Sequence, residues 1–123
     1  MVLVDTSIWI SHFRKGNTHL KELLDDESVV CHPFIIGELA CGGLKNRNEI
    51  ISLLNALPQA QTAESDEILQ FIESKRLFGT ELGLVDVHLL ASALLTKMLL
   101  WTADKPLQTA ADKLNILHEK NKT

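Results

Sequence analysis

The sequence predicts an α/β domain built around a mainly parallel sheet, and three observations carry that prediction. Short runs rich in Val, Leu and Ile alternate with stretches whose apolar residues recur at helical spacing, the order in which strands and crossover helices appear in such domains. With 123 residues, 46% of them hydrophobic, the chain is long enough to bury one core without disulfides or a structural metal. No internal repeat, low-complexity tract or Gly/Ser linker interrupts it, so residues 1–123 are expected to form a single domain.

The first strand is Val2 to Val4. Asp5, Thr6 or Ser7 can cap the helix that follows, whose Ile8, Trp9, Ser11, His12 and Phe13 run on until Gly16 breaks the pattern. A second helix, Thr18 to Asp26, presents Leu20, Leu23 and Leu24. The run "SVVCH" reads as a short strand, and Pro33 suits the first turn of a helix ending at Gly42 and Gly43. Next, "NEIISLLNAL" has helical spacing until Pro58 stops it, and "AQTA" is expected to be an extended edge segment. Glu64, Asp66 and Glu67 favour a helix start through the helix dipole, and this helix carries Ile68, Phe71 and Ile72 as far as Gly79. After Gly83, "VDVHLLASALLTK" sets Asp86, Leu89, Leu90, Ala93 and Leu94 on one helical face. "MLLWT" reads as a fully buried strand and "NILHE" as the last one.

Composition narrows the function before any motif does. Cys31 and Cys41 lie far apart with no Cys-x-x-Cys or Cys/His ligand pattern, so neither a disulfide framework nor a zinc site is expected, and a reducing compartment fits best. The start "MVLVD" has no basic leader, no small-residue cleavage site and no apolar run long enough to span a bilayer, so a cytoplasmic protein without membrane association is expected. A formal net charge of -4 speaks against a general electrostatic affinity for nucleic acid, though not against a local basic patch.

Four acids stand out by their isolation. Asp5 is the only Asp, Glu, Lys or Arg between Met1 and Arg14, Glu38 the only one between Glu27 and Lys45, and Asp86 the only one between Glu81 and Lys97. Asp104 closes the buried run in "LLWTAD". A carboxylate in so apolar a segment is costly to withdraw from water unless it is paired, hydrogen-bonded or bound to a metal. Each also has an ordinary role to set against a functional one: Asp5 as a helix cap, Glu38 on a solvent face, Asp86 as a first-turn acid, Asp104 as a turn residue before Pro106. Together they say more, because Asp5 and Asp104 both follow predicted strands, where ligands bind in open parallel sheets. Converging carboxylates repel one another unless a cation lies between them, and oxygen-only ligation points to Mg2+ or Mn2+ rather than zinc. His88, two residues from Asp86 on a helix, points away, and His12, His19, His32 and His118 are read as surface or capping residues.

The ordered set "VDTSIWI", "IIGELACG", "GLVDVHLLASALL" and "LLWTADKPL" resembles a PIN-domain ribonuclease of the VapC toxin type, from the toxin-antitoxin pairs of bacteria and archaea. The resemblance runs from end to end of the chain. It implies a PIN-like fold, with a central sheet flanked by helices on both sides, and an acidic pocket of Asp5, Glu38, Asp86 and Asp104. In it Asp5 and Asp86 are the principal metal ligands, Glu38 and Asp104 complete the cluster directly or through water, and Thr102 supports it, with Thr6 and Ser7 as further supports. The implied reaction is Mg2+- or Mn2+-dependent hydrolysis of RNA phosphodiester bonds. Arg14, Lys15, Lys45, Arg47, Lys75, Arg76 and Lys105 are candidates for phosphate contacts, and most of them serve equally as solvated surface charges. The implied partners are a VapB-type antitoxin and a second copy of the chain in a homodimer. Trp9, Ile10, Phe13, Leu20 and Leu24 are candidates for the antitoxin groove, against the alternative that they are core.

Two other readings stand beside this one. A phosphatase of the haloacid dehalogenase type also has an aspartate after its first strand, but its second aspartate, two residues on, is Ser7 here. A non-catalytic PIN-like interaction module is the other, although that reading ordinarily goes with loss of pocket acids and all four are present.

Overall fold

Three very short strands are enough to organise this chain because both faces of the sheet are covered. The structure, a computed structural model, describes residues 1–119. In chain order the elements are β1 (Val2–Val4), α1 (Thr6–Lys15), α2 (Thr18–Asp25), β2 (Val29–Val30), α3 (Pro33–Cys41), α4 (Arg47–Ala56), α5 (Ser65–Ser74), α6 (Leu84–Leu95), β3 (Leu99–Trp101) and α7 (Lys105–Lys113). The sheet order is β2-β1-β3 and both pairings are parallel, with Val2 opposite Val29 and Leu99, Leu3 opposite Val30 and Leu100, and Val4 opposite Trp101. Parallel neighbours need crossover connections, which here are helical. The chain leaves β1 in one direction to reach β2 and returns past it to β3. Right-handed crossovers in opposite directions lay their helices on opposite faces of the sheet.

That burial explains the composition of the strands. Every residue of β1 and β2 is buried, as are Leu100 and Trp101 of β3, which is why these segments read as unbroken apolar runs rather than as alternation. The core is completed by Leu20, Ile35, Leu54, Leu89, Leu90 and Leu107 from the surrounding helices. The sequence assigned α6 one apolar face; in the structure it is buried all round, from Val87 through Ala93. Its two polar members there, His88 and Ser92, are buried with it. Asp86 stands one residue before this buried run and is half-buried.

Four helices, α2, α5, α6 and α7, end in the same way. The residue after the cap is left-handed and is never glycine: Glu27, Arg76, Lys97 and Asn115, each with φ between 53° and 61°. Behind each, two amides turn back onto the last helical carbonyls, as in Met98 N–H to the Ala93 carbonyl and Lys97 N–H to that of Leu94. This termination is why α5 stops at Ser74 rather than running to Gly79, as the sequence suggested.

Three further expectations are corrected. "NILHE" is not a strand: Leu117 makes one parallel bridge to Leu100, held by Leu100 N–H to the Ile116 carbonyl and His118 N–H to the Leu100 carbonyl. The extended edge contact falls at Gln59, opposite Cys31, rather than within "AQTA", because Cys31 bonds the Pro58 carbonyl and the Ala60 amide. Helix α7 had no counterpart in the sequence reading, which took Asp104 and Pro106 as a turn. Asp104 is its N-cap and Pro106 lies in its first turn, where the missing N–H costs no hydrogen bond.

Candidate active site at the carboxyl edge of the sheet

In the order β2-β1-β3 the crevice where the chain reverses direction lies at the carboxyl ends of β1 and β3. Asp5 follows β1 and Thr102 follows β3, and the Asp5 N–H bonds the Trp101 carbonyl at 2.9 Å, so the ladder ends at the two residues that open the site.

Asp5 occupies the N-cap position of α1 without capping it: its carboxylate makes no bond to the helix amides. Oδ2 instead accepts from the Thr102 hydroxyl at 2.7 Å and the Ser7 hydroxyl at 2.9 Å. These hydroxyls in turn accept from backbone amides, Thr102 from Asp104 N–H at 3.0 Å and Ser7 from Ala103 N–H at 3.0 Å. Each hydroxyl proton is thus committed to Asp5, and the 3.4 Å contact between the two hydroxyl oxygens carries no hydrogen bond. Neither Thr6 nor Ser7 takes over the cap. Thr6 donates to Glu38 Oε1 at 2.7 Å, tying α1 to the exposed glutamate of α3.

The other acids sit at helix starts. Asp86 Oδ2 accepts from Gly83 N–H at 3.0 Å, which closes the first turn of α6. Asp104 Oδ2 accepts from Leu107 N–H at 3.1 Å and caps α7. Among the described residues, each of the four carboxylates therefore has one oxygen held by a hydroxyl or an amide and its second oxygen unengaged. Glu38 and Asp104 are exposed, Asp86 is half-buried and Asp5 is buried.

The four acids share one electrostatic neighbourhood. Burial pushes the Asp86 carboxyl upward, the Gly83 amide opposes that, and repulsion from Asp5, Asp104 and Glu38 adds to the rise. Among the described residues, no cation acts on it. Among the described residues no group of three or more His, Cys, Asp or Glu side chains stands ready to hold a metal ion. The physical reason is visible in the bonds above, which turn Glu38, Asp86 and Asp104 each onto a donor of the protein. The donor set itself, all carboxylate oxygen with one oxygen open on each acid, fits a hard divalent cation.

The histidines stay out of this cluster. His88 is buried against Phe34, with ring centroids 4.5 Å apart. His32 is fully buried rather than on the surface. Its Nδ1 accepts from Phe34 N–H as the cap of α3, and its Nε2 meets the Ser92 hydroxyl at 3.1 Å. His19 and His118 are half-buried and stacked, both edge-on to Trp101. Of the five apolar groove candidates, Leu20 is wholly core; Trp9, itself 3% exposed, Phe13 and Leu24 line a cleft of about 170 Å³ with Leu53 and Leu57 of the α4 side; and Ile10 is exposed and lines a separate cavity. The candidate phosphate contacts divide: Arg14 and Lys45 line one cavity, Lys75, Arg76 and Lys105 another, and Arg47 bonds the Ala40 carbonyl.

Known proteins bear directly on this arrangement. The pattern of the PIN domain matches residues 2–113, and the chain belongs to the PIN-domain family. Within that family it is 46% identical to ribonuclease VapC32 of Mycobacterium tuberculosis, in both strain CDC 1551 and strain H37Rv, over 111 residues that cover 89% of this chain and 90% of the relative. Its place is therefore among the VapC-type members. Solved structures with the same fold include FitAcB from Neisseria gonorrhoeae (TM-score 0.59, 18% identity, 91% of this chain and 94% of that one). A second is PAE2754 from Pyrobaculum aerophilum (TM-score 0.60, 14% identity, 92% and 85%). A third is FitAB bound to an IR36 DNA fragment (TM-score 0.61, 18% identity, all of both chains). This membership sets aside the phosphatase reading, and Ser7, which bonds Asp5, agrees with that. Among the described residues no helix is long and apolar enough to cross a membrane.

Proposed function

We propose that the chain, acting as one PIN domain over residues 1–123, is a metal-dependent endoribonuclease and the toxin of a type II toxin-antitoxin pair, with Asp5, Glu38, Asp86 and Asp104 as its catalytic acids. One observation carries the proposal: four carboxylates at the carboxyl edge of a parallel sheet, each anchored by one oxygen with the other unengaged among the described residues. The identity with a protein named a ribonuclease supports RNA as the substrate.

In this reading Asp5 and Asp86 are the residues that would hold the principal Mg2+ or Mn2+ ion. When bound, such an ion offsets the charge of the phosphodiester and makes a water acidic enough to attack phosphorus near neutral pH. Thr102 and Ser7 hold one oxygen of Asp5 and leave the other unengaged. Glu38 and Asp104 complete the anionic rim, each steadied by a donor of its own, Thr6 and the Leu107 amide. A cation bound beside Asp86 would offset the repulsion it meets from Asp5, Asp104 and Glu38.

A VapB-type antitoxin and homodimerisation belong to the same proposal and rest on the family. The cleft between Phe13, Leu24 and Leu53 offers an apolar seat for the antitoxin. The purified chain is expected to cut single-stranded RNA in Mg2+ or Mn2+, and EDTA, Asp5→Ala or Asp86→Asn is expected to abolish it. Cutting that persists in EDTA and in both variants would refute the mechanism.

A further inference from the structure

The chain is acidic overall, yet its cations are unevenly placed. A cavity of about 500 Å³ between the loop that joins α5 to α6 and the flank of α7 is lined by Lys75, Arg76, Lys105 and Lys113, with Glu81 the one acid among the described residues that line it. Of the ten Lys and Arg residues among the described residues, four therefore face one hollow. All four are exposed, so their charge is available to a ligand.

Two of the lining residues lie next in sequence to residues of the acidic site. On one wall, lining residue Leu82 is followed by Gly83, whose amide holds Asp86. On the other, lining residue Lys105 directly follows Asp104. Along α7, Lys105, Thr109 and Lys113 recur every fourth residue and form one stripe. At 1.5 Å of rise per residue the stripe carries positive charge about 12 Å away from the acids. Across it, Arg76 sits in the left-handed position that ends α5.

We propose that this basic groove binds the phosphate backbone of single-stranded RNA beside the scissile bond, so that the substrate leaves the four carboxylates along α7. The inference rests on the ribonuclease reading and adds to it the path of the strand. The physical basis is charge: lysines and an arginine neutralise phosphates and release their counterions, which gives affinity without base preference. It also resolves how an acidic chain engages an anion, since attraction along the groove opposes repulsion from the rim.

The test compares the wild-type chain with Lys75→Gln/Arg76→Gln/Lys113→Gln, which leaves Lys105 and the acids untouched. Binding of a labelled single-stranded RNA dodecamer is followed by fluorescence anisotropy over a range of salt, and cleavage is followed on the dodecamer and on a dinucleotide. The triple variant is expected to bind the dodecamer at least tenfold more weakly, with a logarithmic salt slope shallower by about 2, since each phosphate contact on a single strand contributes about 0.7. The loss of kcat/KM is expected to be larger on the dodecamer than on the dinucleotide, and Lys75→Arg/Lys113→Arg is expected to retain the wild-type affinity and slope.

An unchanged affinity and slope would overturn the groove, as would a variant that keeps its RNA affinity but loses affinity for a poly-glutamate peptide, which would make the groove a peptide site. Binding needs no turnover, so the two readings fail separately. A chain that binds through the groove but cuts nothing refutes the nuclease, and a chain that cuts with unaltered affinity in the variant refutes the groove alone.

Discussion

Thr102 donates its hydroxyl to Asp5 Oδ2 at 2.7 Å across 97 positions of sequence. The two residues end neighbouring strands, so the bond is set by the register that pairs Val4 with Trp101. It joins the fold to the site: the same ladder that buries the core fixes which oxygen of Asp5 is engaged.

Replacing Thr102 by Val keeps its shape and removes the donor. A hydrogen bond to a buried carboxylate contributes about 1.5–3 kcal/mol, and Thr102→Val is expected to lose about that much stability in urea unfolding, with a clear fall in RNA cleavage. Thr102→Ser, which keeps the hydroxyl, is expected to lie close to wild type in both measurements. Equal losses in the two variants would show that packing rather than the bond matters.

Asp86→Asn is expected to stabilise the metal-free chain while abolishing cleavage. The folded state raises the Asp86 pKa through burial and through repulsion by Asp5, Asp104 and Glu38. Its contribution to stability is therefore present at low pH and lost as pH rises and the group ionises. Asparagine keeps an acceptor for Gly83 N–H and removes the charge. In EDTA near neutral pH the gain is expected to be under about 1 kcal/mol because the site is open to solvent. Adding Mn2+ is expected to erase or reverse the difference, measured by thermal unfolding.

His32 gives the fold a defined acid sensitivity. Burial, with a smaller effect from His88, lowers its pKa from 6.5 to about 4. Its Nδ1 is also occupied as an acceptor from Phe34 N–H, so a proton there would break the cap of α3. A histidine held below its unfolded pKa contributes stability that is full above pH 6.5 and is lost as pH falls toward 4, by as much as about 3 kcal/mol. His32→Asn is expected to be less stable at pH 7 and to show a shallower fall over that window. A variant with the wild-type slope would exclude His32 as its source.

The helix ends predict a stabilising change away from the site. Lys97 is left-handed after α6, a conformation that costs a side-chain-bearing residue about 1 kcal/mol relative to glycine. Lys97→Gly is expected to raise stability by up to about that amount. Asn115→Gly after α7 is expected to gain less, because asparagine tolerates the left-handed region better.

What the sequence disclosed and what it hid follow from the range of the interactions. The strands Val2–Val4, Val29–Val30 and Leu99–Trp101 were legible because a doubly covered parallel strand must be apolar throughout, and that leaves a mark on local composition. The isolation of Asp5, Glu38 and Asp86 was legible for the same reason, since a charge inside such a run is conspicuous. The end of α5 was not, because Arg76 holds the left-handed position where glycine would have been the readable signal, and the reading ran on to Gly79. Helix α7 was hidden by its Pro106, which reads as a break until Asp104 is seen to cap the helix ahead of it. The division of the carboxylate oxygens was beyond reach in principle, since Thr6 meets Glu38 and Thr102 meets Asp5 only after the chain has folded.

The central claim is that four half-engaged carboxylates hold a divalent cation, and Mn2+ binding followed by electron paramagnetic resonance tests it most directly. Wild-type chain is expected to bind Mn2+ and to begin cutting RNA over the same range of metal concentration. Asp5→Asn and Asp86→Asn are each expected to weaken binding at least tenfold and to lose cleavage with it. Mn2+ binding equal in the wild type and both variants, or RNA cleavage complete before any Mn2+ binds, would contradict the account.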